Sequence, residues 1–195
     1  MQNFIIIWSV MLLALSQVGT ISAPPAPGQE ELPIFTTANG LIQIRSDAPL
    51  ELITAQSTAI RGALDPSNQT FAFTVQIRSF EGFNNPLQKE HFNENYMESA
   101  RFPKAQFTGK IIESVPFTQP GEWVVRAKGM LEIHGVQKEQ IIPVTISSDQ
   151  TSLRVRTFFT VLLDEYQISV PKIVRQKIAS EIEIKVEANL SPRQE

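Results

Sequence analysis

The chain has 195 residues, 42% of them hydrophobic and 19% charged. That is enough apolar material for one folded domain plus a targeting segment, and too little charge for a disordered chain. Seventeen basic residues against twenty acidic ones leave a formal net charge of −3. They read as scattered, which sets aside nucleic acid as a partner and offers no electrostatic track for an acidic membrane surface; the absence of cysteine excludes disulfides, thiolate metal sites and cysteine nucleophiles.

The chain opens on a continuous apolar run, Phe4–Leu15, followed by Gln17, Gly19 and the small-residue stretch Thr20-Ile21-Ser22-Ala23. This predicts a signal peptide over residues 1–23, since the run is too short for a comfortable transmembrane helix. A retained anchor is the alternative, because no Lys or Arg precedes the run. No lipobox cysteine follows it. Residues 24–34, rich in proline, read as a solvated linker. The predicted domain covers 35–190, and 191–195 form a tail.

From Phe35 onwards, short runs of period-two alternation are separated by turn residues, which predicts antiparallel strands with one dry and one wet face. Asn39-Gly40 is read as a turn before the first strand. A strand around Thr58–Leu64 is separated by Asp65–Gln69 from one at Thr70–Phe80, where Phe71, Phe73, Val75 and Ile77 share a face. Asn85-Pro86 then starts a short helix running to about Asn95, with Asn as cap and Pro at the first helical position. Strands follow at Lys104–Ser114, Glu122–Ile133, Val136–Ser147 and Thr151–Leu163, divided by Gln119-Pro120-Gly121, Gly135 and Ser148-Asp149-Gln150. Pro171–Arg175 predicts a bend or helical turn before a last strand, in which Ile182, Ile184, Val186 and Ala188 alternate with charged residues. The whole is an all-β, antiparallel up-and-down barrel of about eight strands with a short helix in a long connection. Phe158–Leu163 is apolar on both parities, so Phe158 and Leu162 are either covered by a helix or loop or form an apolar rim.

Chemistry-bearing constellations are missing from the sequence. There is no G-x-S-x-G elbow, phosphate loop, dinucleotide fingerprint or H-E-x-x-H. His91 lies in the predicted helix, one turn from Glu94, without a third metal ligand nearby. His134 shares parity with Arg126, Lys128 and Glu132 and is expected to face water. Asp164-Glu165 reads as a polar strand end, and Asn68-Gln69-Thr70 as an Asx-rich turn that happens to spell a sequon. No catalytic residue, metal ligand or cofactor is expected.

Three segments carry a resemblance. Leu87–Gly109 contains His91-Phe92, Phe102-Pro103 and Phe107; Val125–Lys138 with Ile142-Pro143-Val144 forms a hairpin pattern; Phe158–Val170 contains Asp164-Glu165-Tyr166-Gln167-Ile168. In order and spacing these resemble the YceI-like family, bacterial periplasmic polyisoprenoid-binding proteins. The early D-x-x-H-S stretch of that family has no counterpart around Phe35–Ile44, and Gln167 stands where it often has Gly. The resemblance implies an extended lipocalin-like barrel, a periplasmic or secreted location, and an apolar chain-like lipid as partner. It leaves transient membrane contact and homodimerisation open. Phased apolar residues expected to face such a ligand are Phe71, Phe73, Val75, Ile77, Phe107, Ile111, Val125, Leu131, Phe159 and Val161, with Trp123 and Tyr166 at the rim. The alternative is a filled barrel acting as a protein-interaction or stress-related module, because alternation alone does not separate a packed interior from a hollow one.

Overall fold

A computed structural model describes residues 32–193. Eight strands, β1 (Phe35–Ala48), β2 (Glu51–Asp65), β3 (Thr70–Gln76), β4 (Lys104–Ile111), β5 (Gly121–Ile133), β6 (Val136–Ser148), β7 (Leu153–Leu162) and β8 (Glu181–Pro192), pair in sequence order. The first and last also pair, so the sheet closes into an antiparallel barrel without free edges. The expected architecture is the one found.

Some boundaries differ for physical reasons. Asn39-Gly40 is not a turn: it lies inside β1, where the register with β2 shifts between Thr37 and Ile42. An extra residue there bends a long strand around the barrel. The β1–β2 turn falls instead at Pro49-Leu50, and β2 begins at Glu51 rather than near Thr58. β3 ends at Gln76, because Ile77–Ser79 coil into a 3₁₀ turn, although Ile77 stays buried.

The helix starts as expected. Asn85 caps α1 (Pro86–His91), its Oδ1 accepting from the Gln88 N–H at 2.9 Å. It widens into a π turn over Phe92–Tyr96. Lys172–Val174 form a 3₁₀ turn in the β7–β8 connection. The doubly apolar stretch of β7 is uncovered: Phe158 is 56% exposed on the outer wall opposite Lys185, and Leu162 is also exposed.

Up-and-down connectivity sorts the connections between two ends. One end carries the turns at 66–69, 112–120 and 149–152. It is packed shut: Leu64, Ile146, Leu153 and Leu190 are almost wholly buried, and Val115 and Phe117 fold in from the β4–β5 connection. Ser148 Oγ fixes that connection by donating to the Phe117 carbonyl at 3.3 Å. The other end carries the Pro49-Leu50 turn, the helical connection 77–103, the His134-Gly135 turn and the connection 163–180. There the strands splay around a space.

Candidate ligand-binding site

A cavity of about 430 Å³ opens at that second end. Ile42 and Ile44 of β1, Ile53 of β2, Val75, Val161 and Ile184 form its strand walls, with Ile77 just past the end of β3. The helical connection contributes Phe80, Phe83, Phe92, Tyr96 and Met97, and the β7–β8 connection adds Tyr166, Ile168, Val174 and Ile178. Phe92 stacks at tilted angles on Phe80 and Phe83, with centroids 5.7 and 5.0 Å apart. Aromatic contacts on its inner side therefore help to clamp the helical connection over the opening, beside the hydrogen bonds of Asn84 to Leu52 and Gln88 to Glu51.

A narrower space of about 120 Å³ adjoins it towards the packed end, sharing Ile42, Val75 and Ala105 as lining. Phe71, Phe73, Phe107, Leu131 and Phe159 wall this part, and Leu64 and Ile146 close it. Inward-facing Phe73, Phe107, Phe159, Ile42 and Ile44 are only half-buried, although they point into the barrel. The accessible surface they retain faces the internal space, which the side chains do not fill.

Polar groups gather at the mouth and are largely tied to one another. Gln88 Nε2 donates to Glu51, and the Ser46 hydroxyl accepts from the Ala179 N–H at 2.9 Å. His91 and Lys177 line the opening and are exposed. A long apolar tunnel with polar groups only at its entrance favours a ligand with an apolar body, and leaves few fixed donors for its head.

Of the twelve expected lining residues, Phe71, Phe73, Phe107, Ile111, Leu131 and Phe159 line the narrow part, Ile77, Val161 and Tyr166 the wide part, and Val75 both. Val125 and Trp123 line neither: Val125 is buried in the packed end, with Trp123 against the same cluster. The rim expectation fails for both polar-tipped aromatics. Trp123 lies near the start of β5, at the packed end. Tyr166 is 0% exposed, its hydroxyl 3.5 Å from Gln140 Nε2, and burial pushes the phenol above its ordinary pKa.

His134 is not on a wet face. β5 stops at Ile133, which pairs with Val136, so His134 and Gly135 form a two-residue turn with both φ positive (52° and 73°). Strand parity ends before it reaches His134. The ring is buried, 4.5 Å from Phe102 in an edge contact, with Nδ1 3.1 Å from the Tyr166 carbonyl and Nε2 3.4 Å from Glu98. It ties the hairpin to the connection that walls the cavity.

Asp164 and Glu165 lie in a 3₁₀ turn (Leu163–Tyr166) and point outwards, Glu165 towards Lys138. Among the described residues no group of three or more His, Asp or Glu side chains is placed to hold a metal ion.

Sequence reading missed the contribution of β1 and, apart from Ile77 and Tyr166, that of the two connections. Ile42 and Ile44 alternate correctly, but the reading of Asn39-Gly40 as a boundary drew attention from them. Phe92 and Tyr96 are four residues apart, a spacing that puts two aromatic rings on one helical face and is the signal by which they are found.

Comparisons with known proteins agree with this geometry. The family model described as the YceI-like domain matches residues 42–190. No curated protein matches the chain. Among solved structures, a polyisoprenoid binding domain from Saccharophagus degradans implicated in plant cell wall breakdown superposes with a TM-score of 0.71 at 12% identity, covering 83% of this chain and 99% of that one. BcnA of Burkholderia cenocepacia gives 0.65 at 14% identity, covering 78% and 96%. A YCEI protein of Campylobacter jejuni gives 0.55 at 13% identity, covering 95% and 100%. At such identities the structural likeness concerns the fold.

Proposed function

This chain belongs to the YceI-like family, and on that premise we propose that it is an exported protein holding a long apolar chain inside its barrel. The chain would be of polyisoprenoid, isoprenoid-quinone or fatty-acid type, for carriage or sequestration without chemistry on it. The observation that carries the reading is the apolar cavity of about 430 Å³, extended by the narrower space beyond it. Its size lies within the roughly 300–1,000 Å³ of ordinary ligand pockets. The Saccharophagus degradans domain, described as polyisoprenoid binding, supports the ligand class.

The energetics are adequate. Each buried methylene is worth about 0.8 kcal/mol, so twenty carbons gain roughly 16 kcal/mol gross. Association and chain ordering remove about 4–15 kcal/mol or more. A useful affinity then needs no specific hydrogen bond, and selectivity falls to tunnel length and the polar mouth. Export to the periplasm or medium is proposed from the apolar N-terminal run, which lies outside the described residues.

The test is extraction and mass spectrometry of protein purified from its own host. An apolar chain lipid, recovered in near-stoichiometric amount and displaced by a fluorescent isoprenoid, is expected. Ligand-free protein that also never takes up the probe would remove the carrier reading.

A further inference from the structure

Three exposed apolar side chains surround the mouth of the cavity, each on a different connection. Leu50, 66% exposed, tips the β1–β2 turn; Leu87, 55% exposed, sits on α1; Ile173, 91% exposed, tips the 3₁₀ turn of the β7–β8 connection. These connections are fastened together. The Leu50 N–H donates to the Gln176 carbonyl at 2.8 Å, Asn84 Nδ2 donates to the Leu52 carbonyl at 3.0 Å, and Gln88 bonds Glu51. The apolar tips therefore belong to one held rim rather than to three loose loops.

Charge is one-sided on the part of the β7–β8 connection that carries the most exposed of the three tips, Ile173. Pro171–Ala179 contains Lys172, Arg175 and Lys177 and no acidic residue. All three cations are exposed, and none makes an ion pair among the described residues. Around the mouth Glu81 pairs with Lys89, Asp47 and Glu183 with Arg45, and Glu51 with Gln88. Glu90, Glu94, Asp164 and Glu181 are exposed without an ion pair among the described residues, and lie outside Pro171–Ala179. Lys172, Arg175 and Lys177 are near neighbours in sequence, so this one segment presents a cationic lip beside the apolar tips of the mouth. Exposed apolar tips beside unpaired cations match a bilayer surface, whose phosphates meet the cations while the tips enter the acyl boundary.

We infer that the open end of the barrel is a membrane-docking surface for a bilayer carrying anionic phosphate headgroups, which seats the mouth on the lipid. The inference rests on the reading of the cavity as a lipid site, and it names where that lipid is exchanged. A ligand passing directly from bilayer to tunnel never crosses water, which removes the cost of exposing its apolar chain during transfer.

The absence of cysteine makes the test specific, since a single introduced thiol takes a label alone. In the full chain, Ile173→Cys carries an environment-sensitive fluorophore, and Val124→Cys, on the exposed outer wall, carries the same label as reference. Phosphatidylcholine vesicles with and without phosphatidylglycerol are added. A blue shift is expected at position 173 but not at 124, with anionic vesicles only, and it is suppressed by high salt. Reversing the lip with Lys172→Glu, Arg175→Glu and Lys177→Glu in the labelled chain weakens the response by about tenfold or more. Equal responses at 173 and 124, no response to either vesicle, or a response indifferent to the three reversals would overturn the docking surface. Uptake of a fluorescent isoprenoid from vesicle-free solution is measured in parallel. Uptake that persists while docking fails leaves the carrier reading standing and sinks only this one; loss of both removes the two together.

Discussion

Single positions illustrate how local backbone decides what a side chain does. His134 looked like a solvent-facing strand residue, yet its positive φ turns it inwards, where Nδ1 holds the Tyr166 carbonyl and the ring packs on Phe102. Its role is structural. His134→Asn keeps a residue that tolerates the left-handed turn but removes the packed ring, and is expected to lower stability by about 1–3 kcal/mol in urea denaturation. Isoprenoid uptake by the folded fraction should survive; a loss of under a few tenths of a kcal/mol would show that the buried tie contributes nothing. Gln167 is the complementary case. It sits at φ 57°, ψ 28° immediately after the Tyr166 turn, in the region L residues enter at a cost. The frequent glycine of YceI-like sequences at this place has a plain backbone reason. Gln167→Gly should raise stability by roughly 0.5–1 kcal/mol, the relief of the left-handed strain exceeding the entropy that glycine adds to the unfolded chain.

Elements show where the fold depends on packing across strands and where on charge. Gly62 of β2 lies opposite Phe73 of β3, and a Cβ at Gly62 would fall 2.1 Å from the Phe73 ring. The missing side chain lets the ring lie across the barrel wall and line the narrow tunnel. Gly62→Ala is therefore expected to push Phe73 off its seat and cost about 1–3 kcal/mol, read as a lower melting temperature, with reduced uptake of long probes. The β6–β7 turn depends on a charge instead. Asp149 accepts from the backbone N–H groups of Thr151 and Ser152 and from both hydroxyls, which holds its carboxyl far below the usual carboxylate range. A carboxyl depressed in the folded state adds stability above its ordinary pKa of 3.8, and that stability is lost as pH falls below it. Asp149→Ala should flatten the acid limb of the melting-temperature profile while lowering the plateau at neutral pH. An unchanged acid limb would show that the turn makes no use of the charge.

The sequence made the strands legible because each has one dry face, and alternation records dryness directly. Phe71, Phe73, Phe107 and Phe159 were placed inside on that ground alone. It misjudged positions where alternation breaks, the bulge at Asn39-Gly40 and the turns at His134 and Tyr166, and it gave Trp123, which is in phase within β5, to the wrong end. Nor does period-two patterning say at which end a residue lies. Val125 and Phe107 are equally apolar and equally phased, yet one is sealed in the packed end and the other walls the tunnel. That distinction depends on how far Val115 and Phe117 fold under the barrel, which is a tertiary fact with no local signature.

At the scale of the whole molecule, the barrel is neither filled nor empty but graded, from a sealed end through a narrow apolar throat to a wide mouth with polar groups. The same chemical change should therefore have opposite consequences along the axis. Ile53 is half-buried on the wall of the wide chamber, in reach of solvent entering past Gln88 and Lys177. A carboxylate from Ile53→Glu can keep its water, so the variant should melt within a few degrees of the wild type while losing uptake of a fluorescent isoprenoid. Phe107 lies in the throat, 4.9 Å from Phe71 between ring centroids and in register with Phe73. Phe107→Glu places an unpaired carboxylate against aromatic rings and leaves a void, a penalty of about 3–5 kcal/mol against the 5–15 kcal/mol a domain typically holds. It should melt far lower, and Phe107→Leu, which keeps the throat apolar, should recover most of the loss. The measurement is the pair of melting temperatures alongside probe uptake. Similar collapse of both Glu variants would mean that the wide chamber is as dry and packed as the throat, and the carrier reading would lose the space it requires.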